Sequence, residues 1–331
     1  MNVVDKIVAE WAFRCKKGYP DTNNPDDMKI LKEIYSEYGV VLEEEKPKEG
    51  INQSNATDVE VAYLRKAFTS IKDDYAKYLK VFMLFDPNSL GTVSEVLLTK
   101  LLDKQGIETQ HIGGAQGLTD LIVNGYHISL KTTLGDTKIG LGSEKEVMDG
   151  RAVELANHFK AHPELTKLTI GQLSTSEAAK KYYPDIIARI DAVAKKLAGP
   201  NNSEFFVWVE KTVGKKTGLL ERITIHTLKY DYNQVMSTFT QGRVVPTKGA
   251  GSSKSGWNLV DTAGNVVIVA DIKSKYLNIS PTFIRRSTGD NTVSVDFPAI
   301  EQNKVGMSKL VSKGMFDAFD NIYSQIYGGD N

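Results

Sequence analysis

The sequence predicts an α/β protein: a mixed central β-sheet flanked by helices, with a helical N-terminal region before it and a β-rich C-terminal region after it. Three observations carry this. Apolar residues recur at helical spacing through most of the first 104 positions. Short apolar runs then alternate with helical patterns, which is how strands and their covering helices read along a chain. From Asp231 onward the composition turns to Ser, Thr, Gly and Val. The expected divisions are 1–88 (helical), 89–230 (sheet-bearing core) and 231–331 (β-rich with a last helix). A chain of 331 residues is long enough for two or three layers around one or two cores.

The elements follow in order. Residues 3–17 place Val4, Ile7, Val8, Trp11 and Ala12 on one helical face. Asp26 and Asp27 open a second helix, where acids favour the positive N-terminal end. Residues 45–53 hold Pro, Gly and charge and read as a loop. A long amphipathic pattern over 58–84 runs through Val61, Leu64, Phe68, Ile71, Tyr75, Tyr78 and Leu79, and breaks at Asp86-Pro87-Asn88. Residues 89–104 form another helix through Val93, Val96, Leu97, Leu101 and Leu102. Gly113, Gly114 and Gly117 mark turns. Residues 121–123 and 126–130 read as strands joined by Asn124-Gly125, the residue pair that a two-residue hairpin turn prefers. Then come a helix near 145–160, a strand over 165–171, and a helix capped by Ser174 or Ser176 that runs to 197 and ends at Gly199-Pro200. Strands follow at 205–209 and 223–228, and at 266–270 after an Ala263-Gly264-Asn265 turn. The last helix spans 307–326.

Composition narrows the function. Apolar residues make up 41% of the chain and charged residues 25%, ordinary values for a globular protein. No apolar run reaches membrane-spanning length, so no membrane association is expected. An early acid and the lack of an apolar signal core point to a cytoplasmic protein, and the single cysteine, Cys15, excludes an internal disulfide. A net charge of zero argues against a nonspecific histone-like binder but not against local nucleic-acid binding. From Arg243 to Arg286, seven basic residues face two acids, a local balance of +5.

The first hairpin carries candidate chemistry. Cleaving a phosphodiester with a metal ion needs carboxylates to hold Mg²⁺ and a cation near the attacking water and the scissile phosphate. Asp120 opens the first strand, and Ser129-Leu130-Lys131 lies on the second. Ser129 and Lys131, two residues apart, share one strand face with His127, while Ile128 and Leu130 point the other way into a core.

These elements resemble the PD-(D/E)XK nuclease superfamily, which holds many type II restriction endonucleases. The matching parts are Asp120, the hairpin, Ser129-Leu130-Lys131 with Thr132-Thr133 after it, and an upstream helix with Glu95. The resemblance covers roughly residues 89–230. It implies a restriction endonuclease-like core in which Asp120 ligates Mg²⁺ and Lys131 orients or activates the water. The family's acid two positions before the lysine is Ser129 here. A carboxylate from elsewhere must then fill that place: Glu95 is favoured as a second metal ligand, ahead of Glu144, Glu146 and Glu154.

A rival hairpin lies downstream, with Asp261, the Thr262–Asn265 turn, and Asp271-Ile272-Lys273. It matches the motif letters better, since Asp271 stands at the acidic position. Its surroundings are rich in β, Gly and Ser residues, with no obvious preceding helix, so the first hairpin ranks ahead. Lys248 and Lys254 in the glycine-rich loop, together with Arg285 and Arg286, are candidate DNA contacts within the basic stretch. The five histidines lack paired metal-ligand spacing with cysteine, so zinc is not expected. Trp11, Trp208 and Trp257 read as core residues, and Pro184-Asp185 as a coincidence within a helix.

Together these readings lead to an expected Mg²⁺-dependent type II restriction endonuclease that cuts double-stranded DNA at a specific sequence. It would belong to a restriction–modification pair and act as a homodimer on a palindromic site. The resemblance implies 5′-phosphate and 3′-hydroxyl ends. The alternatives are a DNA repair or junction-resolving nuclease of the same fold, and a non-catalytic DNA-binding protein.

Overall fold

The computed structural model describes residues 10–15, 25–37, 58–85, 90–112, 119–135, 138–143, 151–214, 220–247, 256–271, 276–297 and 324. The chain divides into two compact units, 1–50 and 51–331. In the first, residues 10–14 are helical, and helix α1 spans Pro25–Glu37 with Asp26 and Asp27 in its first turn. The Trp11 indole donates to the Asp27 carbonyl (2.7 Å), and Arg14 bridges Glu10 and Glu37.

The second unit is built on a mixed sheet flanked by helices. Among the described residues it has six strands: β1 (Thr109–His111), β2 (Leu121–Val123), β3 (Tyr126–Leu134), β5 (Glu204–Val213), β6 (Leu220–Lys229) and β11 (Thr292–Asp296), adjacent in that order. Only β3 and β5 run parallel; the other neighbours are antiparallel. The β2–β3 turn needs two left-handed residues, and Asn124 (φ 48°) and Gly125 (φ 81°) supply them.

Helices α2 (Asp58–Phe85) and α3 (Leu90–Lys104) cover one face. The former lies over β6 and β11, and the latter over β1, β2 and β3. Leu64, Phe68, Leu79, Val93, Leu97 and Leu101 pack there against Ile128, Leu130, Phe205, Val207 and Ile225. The opposite face presents Phe206, Trp208 and Leu228 to a second core. Strand β5 is buried on both faces, which is why Phe205–Val209 reads as an unbroken apolar run and not as an alternation. Each fully buried aromatic of that run stabilises the fold by about 1.5–3 kcal/mol.

The second core is closed by helices α4 (Arg151–Ala161), α5 (Ile170–Leu173), α6 (Tyr183–Ala198), α7 (Tyr232–Thr240) and α8 (Pro281–Thr288) and by a second, antiparallel sheet. That sheet orders β4 (Ile139–Ser143), β10 (Tyr276–Ile279), β9 (Val266–Asp271), β8 (Gly256–Val260) and β7 (Arg243–Pro246). Among the described residues no helix is long and apolar enough to cross a membrane.

The architecture agrees with the expected mixed sheet between helices. Two local expectations do not hold. The strand over 165–171 is replaced by a 3-10 turn (Pro163–Lys167) followed by α5. A capping box explains it: Gln172 N–H donates to Thr169 Oγ1 (3.2 Å) and Thr169 N–H to Gln172 Oε1 (2.9 Å). The helix expected to begin at Ser174 or Ser176 starts only at Tyr183, with Pro184 in its first turn, because proline lacks the N–H that a helix interior requires. The helix expected at 307–326 lies outside the described residues.

Candidate active site

Asp120 sits where the chain enters β2. Its backbone is tied on both sides: its N–H donates to the Ile128 carbonyl (2.8 Å), and its carbonyl accepts from Ile112 N–H (3.0 Å). This anchors the carboxylate beside β3. Oδ2 accepts from the Leu130 N–H (2.6 Å) and from the Lys131 ammonium (3.0 Å). The ammonium also donates to the Leu130 carbonyl (2.9 Å). Both side chains are about a quarter exposed, so the pair is at once fixed and reachable. Ser129 is buried on the strand between them.

Thus the structure brings Asp120, Ser129 and Lys131 together. Glu95 stands on α3, where its carboxylate meets His111 Nε2 of β1 (3.0 Å), the strand whose following residue, Ile112, donates its N–H to the Asp120 carbonyl. Glu154 lies exposed on α4, and Glu144 and Glu146 fall outside the described residues. Among the described residues, no group of three or more His, Cys, Asp or Glu side chains is gathered for a metal.

In the rival hairpin, Asp261 is committed to its own turn. Its carboxylate accepts from the Asn265 N–H (2.8 Å) and Nδ2 (3.2 Å) and from Arg286 Nη1 (2.5 Å). Burial works against ionisation there, but the hydrogen bonds from Asn265 and the charge of Arg286 hold the carboxyl below its ordinary range. Asp271 ends β9; Lys273, Lys248 and Lys254 lie outside the described residues.

Arg285 is engaged as well. It forms an ion pair with Glu210 and lies over the Trp208 ring, 5.5 Å from its centroid. Glu210 also accepts from His226 Nε2 (2.9 Å), and the His226 ring stacks on Trp208 at 4.5 Å and 17°. The Trp208 indole in turn donates to Thr133 Oγ1 (2.9 Å), two positions beyond Lys131 on β3. Burial raises the Glu210 carboxyl, yet His226 and Arg285 outweigh it and bring it down to about 2. On the face of β5 that packs under α2 and α3, Lys211 is fully buried with no hydrogen-bond partner for its ammonium, and burial pushes it down to about 7.

A second polar group joins residues from three parts of the chain. The Thr119 hydroxyl donates to Glu204 Oε1 (2.6 Å) and meets His127 Nδ1 (3.2 Å). Glu204 and Glu210 flank the apolar run of β5 on one strand face, six residues apart. An acid at each end of a doubly buried strand is the signal that would have marked them.

No family model and no curated protein sequence matches the chain. Among solved structures it is similar to one titled "Restriction endonuclease in complex with substrate DNA", at 13% identity and a TM-score of 0.30, over 72% of this chain and 81% of that one. A TM-score this low does not establish a shared fold.

Proposed function

We propose that the protein is a Mg²⁺-dependent endonuclease of the PD-(D/E)XK kind that cleaves double-stranded DNA. One observation carries the reading: across the β2–β3 hairpin, the Asp120 carboxylate and the Lys131 ammonium meet at 3.0 Å in a partly exposed position beside a parallel strand. The donor set suits a hard cation. Asp120 offers carboxylate oxygen, and Mg²⁺ commonly binds through one or two carboxylates with water and substrate phosphate in its other positions. When bound, Mg²⁺ would supply Lewis-acid charge at the scissile phosphate. Lys131 would hold the attacking water or a phosphate oxygen. The Leu130 N–H keeps Asp120 oriented throughout. A two-fold homodimer would match a palindromic recognition site.

A second reading, DNA binding without cleavage, is favoured by one observation: the acid expected at position 129 is a buried serine, and Glu95 pairs with His111 instead. Incubating plasmid with the purified protein and Mg²⁺, with and without chelator, separates the two. Discrete, chelator-sensitive fragments support a site-specific nuclease. A gel shift of intact DNA supports the binder, and cutting of branched substrates alone supports a junction resolvase.

A further inference from the structure

A cavity of about 520 Å³ opens between the end of α6 and the start of α7, lined by Gly199, Pro200, Asn201, Asn202, Tyr232 and Asn233 together with the exposed Lys195. Its volume falls within the roughly 300–1,000 Å³ of small-ligand sites. The walls are fixed in advance. Gly199 (φ 72°) lies so close to Glu204 that a Cβ there would overlap its side chain. Asn202 (φ 59°) uses both ends of its amide to hold the frame: Nδ2 donates to Asp231 Oδ2 (2.8 Å), and Oδ1 accepts from the Tyr232 N–H (2.9 Å). The Tyr232 hydroxyl donates to Asp191 of α6, which ties the first turn of α7 to that helix. Asn201 and Asn233 are exposed, and their amides make no hydrogen bond among the described residues. The turn thus uses one of its two consecutive amides and leaves the other to the cavity.

An aromatic ring beside two unused amides is the chemistry of nucleobase recognition. Aromatic side chains stack on the face of an unpaired base, and an asparagine amide matches the N6 and N7 edge of adenine. The Lys195 cation, paired with Asp191 at 2.7 Å, suits the phosphate that accompanies such a base. The position fits as well. Helices α6 and α7 pack on the sheet face that bears Lys131. The cavity's turn leads into β5, whose first residue, Glu204, stands opposite His127, about 13 Å along β3 from Lys131. That distance is about four base steps of DNA, so one bound DNA can engage both places. We infer that the cavity receives one unpaired adenine of the bound DNA, stacked on Tyr232 and read by Asn201 and Asn233. The inference rests on the DNA-cleaving reading, but its test does not depend on cleavage.

The test measures binding of fluorescent duplexes, with chelator present, by the full chain and its variants. One duplex is fully paired, one carries a single unpaired adenine and one a single unpaired thymine. The unpaired adenine should bind at least about fivefold tighter than the paired duplex, the effect of one stacked base, and tighter than the unpaired thymine. Asn201→Gly keeps the left-handed turn and removes only the amide, so it should erase the preference for adenine over thymine. Asn233→Ala should weaken that preference in the same direction. Tyr232→Leu should abolish the gain from either unpaired base, and Tyr232→Phe should keep it. Each variant should bind the paired duplex as the wild type does, which shows that it is folded. An unpaired 5-iodouracil in the same duplex should photo-crosslink to Tyr232. Equal affinity of the wild type for all three duplexes overturns the inference, as does a crosslink that maps elsewhere or an unchanged base preference in Asn201→Gly. Deoxyadenosine monophosphate at millimolar concentration should not compete; if it does, with the same dependence on Asn201, the cavity takes a free nucleotide and the DNA assignment falls. Should plasmid stay uncut while the adenine preference holds, the nuclease reading falls and the base site stands. Should plasmid be cut while Asn201→Gly changes nothing, the reverse follows.

Discussion

The two hairpins carry nearly the same letters and use them differently. In β2–β3 the leading aspartate reaches across to the lysine of the next strand, and both remain partly exposed. In β8–β9 the leading aspartate folds back on its own turn, and its charge is met by Arg286 of α8. The difference lies in what each hairpin packs against. Strand β3 is paired in parallel with β5, and polar groups of both strands collect on one side of their sheet. Strand β9 packs the apolar Val267, Ile268 and Ala270 into a core, with Arg286 of the adjoining α8 meeting the turn carboxylate. Matching motif letters is therefore a weaker guide than asking which charge remains available.

The largest expected effect separates the hairpins directly. Lys131→Ala should lower plasmid cleavage at least ~100-fold while leaving DNA binding largely intact, the usual scale for losing a positioned charge at a transition state. Lys273→Ala should change the cleavage rate less than about twofold, since no role at the transition state is assigned to it. The reverse pattern would move the active site to the second hairpin.

Next in size is the buried charge that the first sheet carries. Glu210→Gln leaves His226 and Arg285 without their carboxylate. It should destabilise the protein by about 2–4 kcal/mol, below the value for a fully buried pair because Arg285 is partly exposed. The folded carboxyl lies at about 2 against an ordinary 4.5. Its contribution is thus present above pH 4.5 and lost as the pH falls toward 2. Urea denaturation across that range should show the slope in the wild type and a shallower one in Glu210→Gln.

Lys211 works the other way. Its ammonium is depressed to about 7 from an ordinary 10.5, so the unfolded chain binds more protons between those values. Stability should therefore rise as the pH increases from 7 to 10.5, with the penalty complete below 7. Lys211→Met should flatten that rise and raise stability at neutral pH by on the order of 2 kcal/mol. Unchanged denaturation midpoints at pH 7 and 10 would show that the ammonium is solvated after all.

Which parts were readable in advance follows from how local their causes are. Ile128 and Leu130 alternate with Ser129 and Lys131, and Asn124-Gly125 fixes the turn, so the meeting of Asp120 with Lys131 is written within 12 residues. Strand β4 carries no readable alternation, because Gly140 and Gly142 interrupt it, although Ile139 and Leu141 are both buried. The contact of Thr119 with Glu204 spans 85 positions and depends on the parallel pairing of β3 and β5, which no local pattern announces. Arg285 and Arg286 look free in a basic stretch, and only the folded arrangement brings Glu210 and Asp261 to them.

The smallest effect tests the other half of the comparison. Asp261→Ala removes the turn bonds from Asn265 and the partner of Arg286 together. The turn bonds are neutral donors to a carboxylate at a sheet corner, and Arg286 is 38% exposed, so solvent screens much of the ion pair. A loss of about 1–2 kcal/mol is expected in thermal or urea denaturation, with cleavage per folded molecule unchanged. Asp261→Asn should recover most of that stability, because an amide oxygen can still accept from the Asn265 N–H. If Asp261→Asn instead folds as well as the wild type but no longer cleaves, the carboxylate charge serves chemistry at the second hairpin, and the turn bonds describe only its resting position.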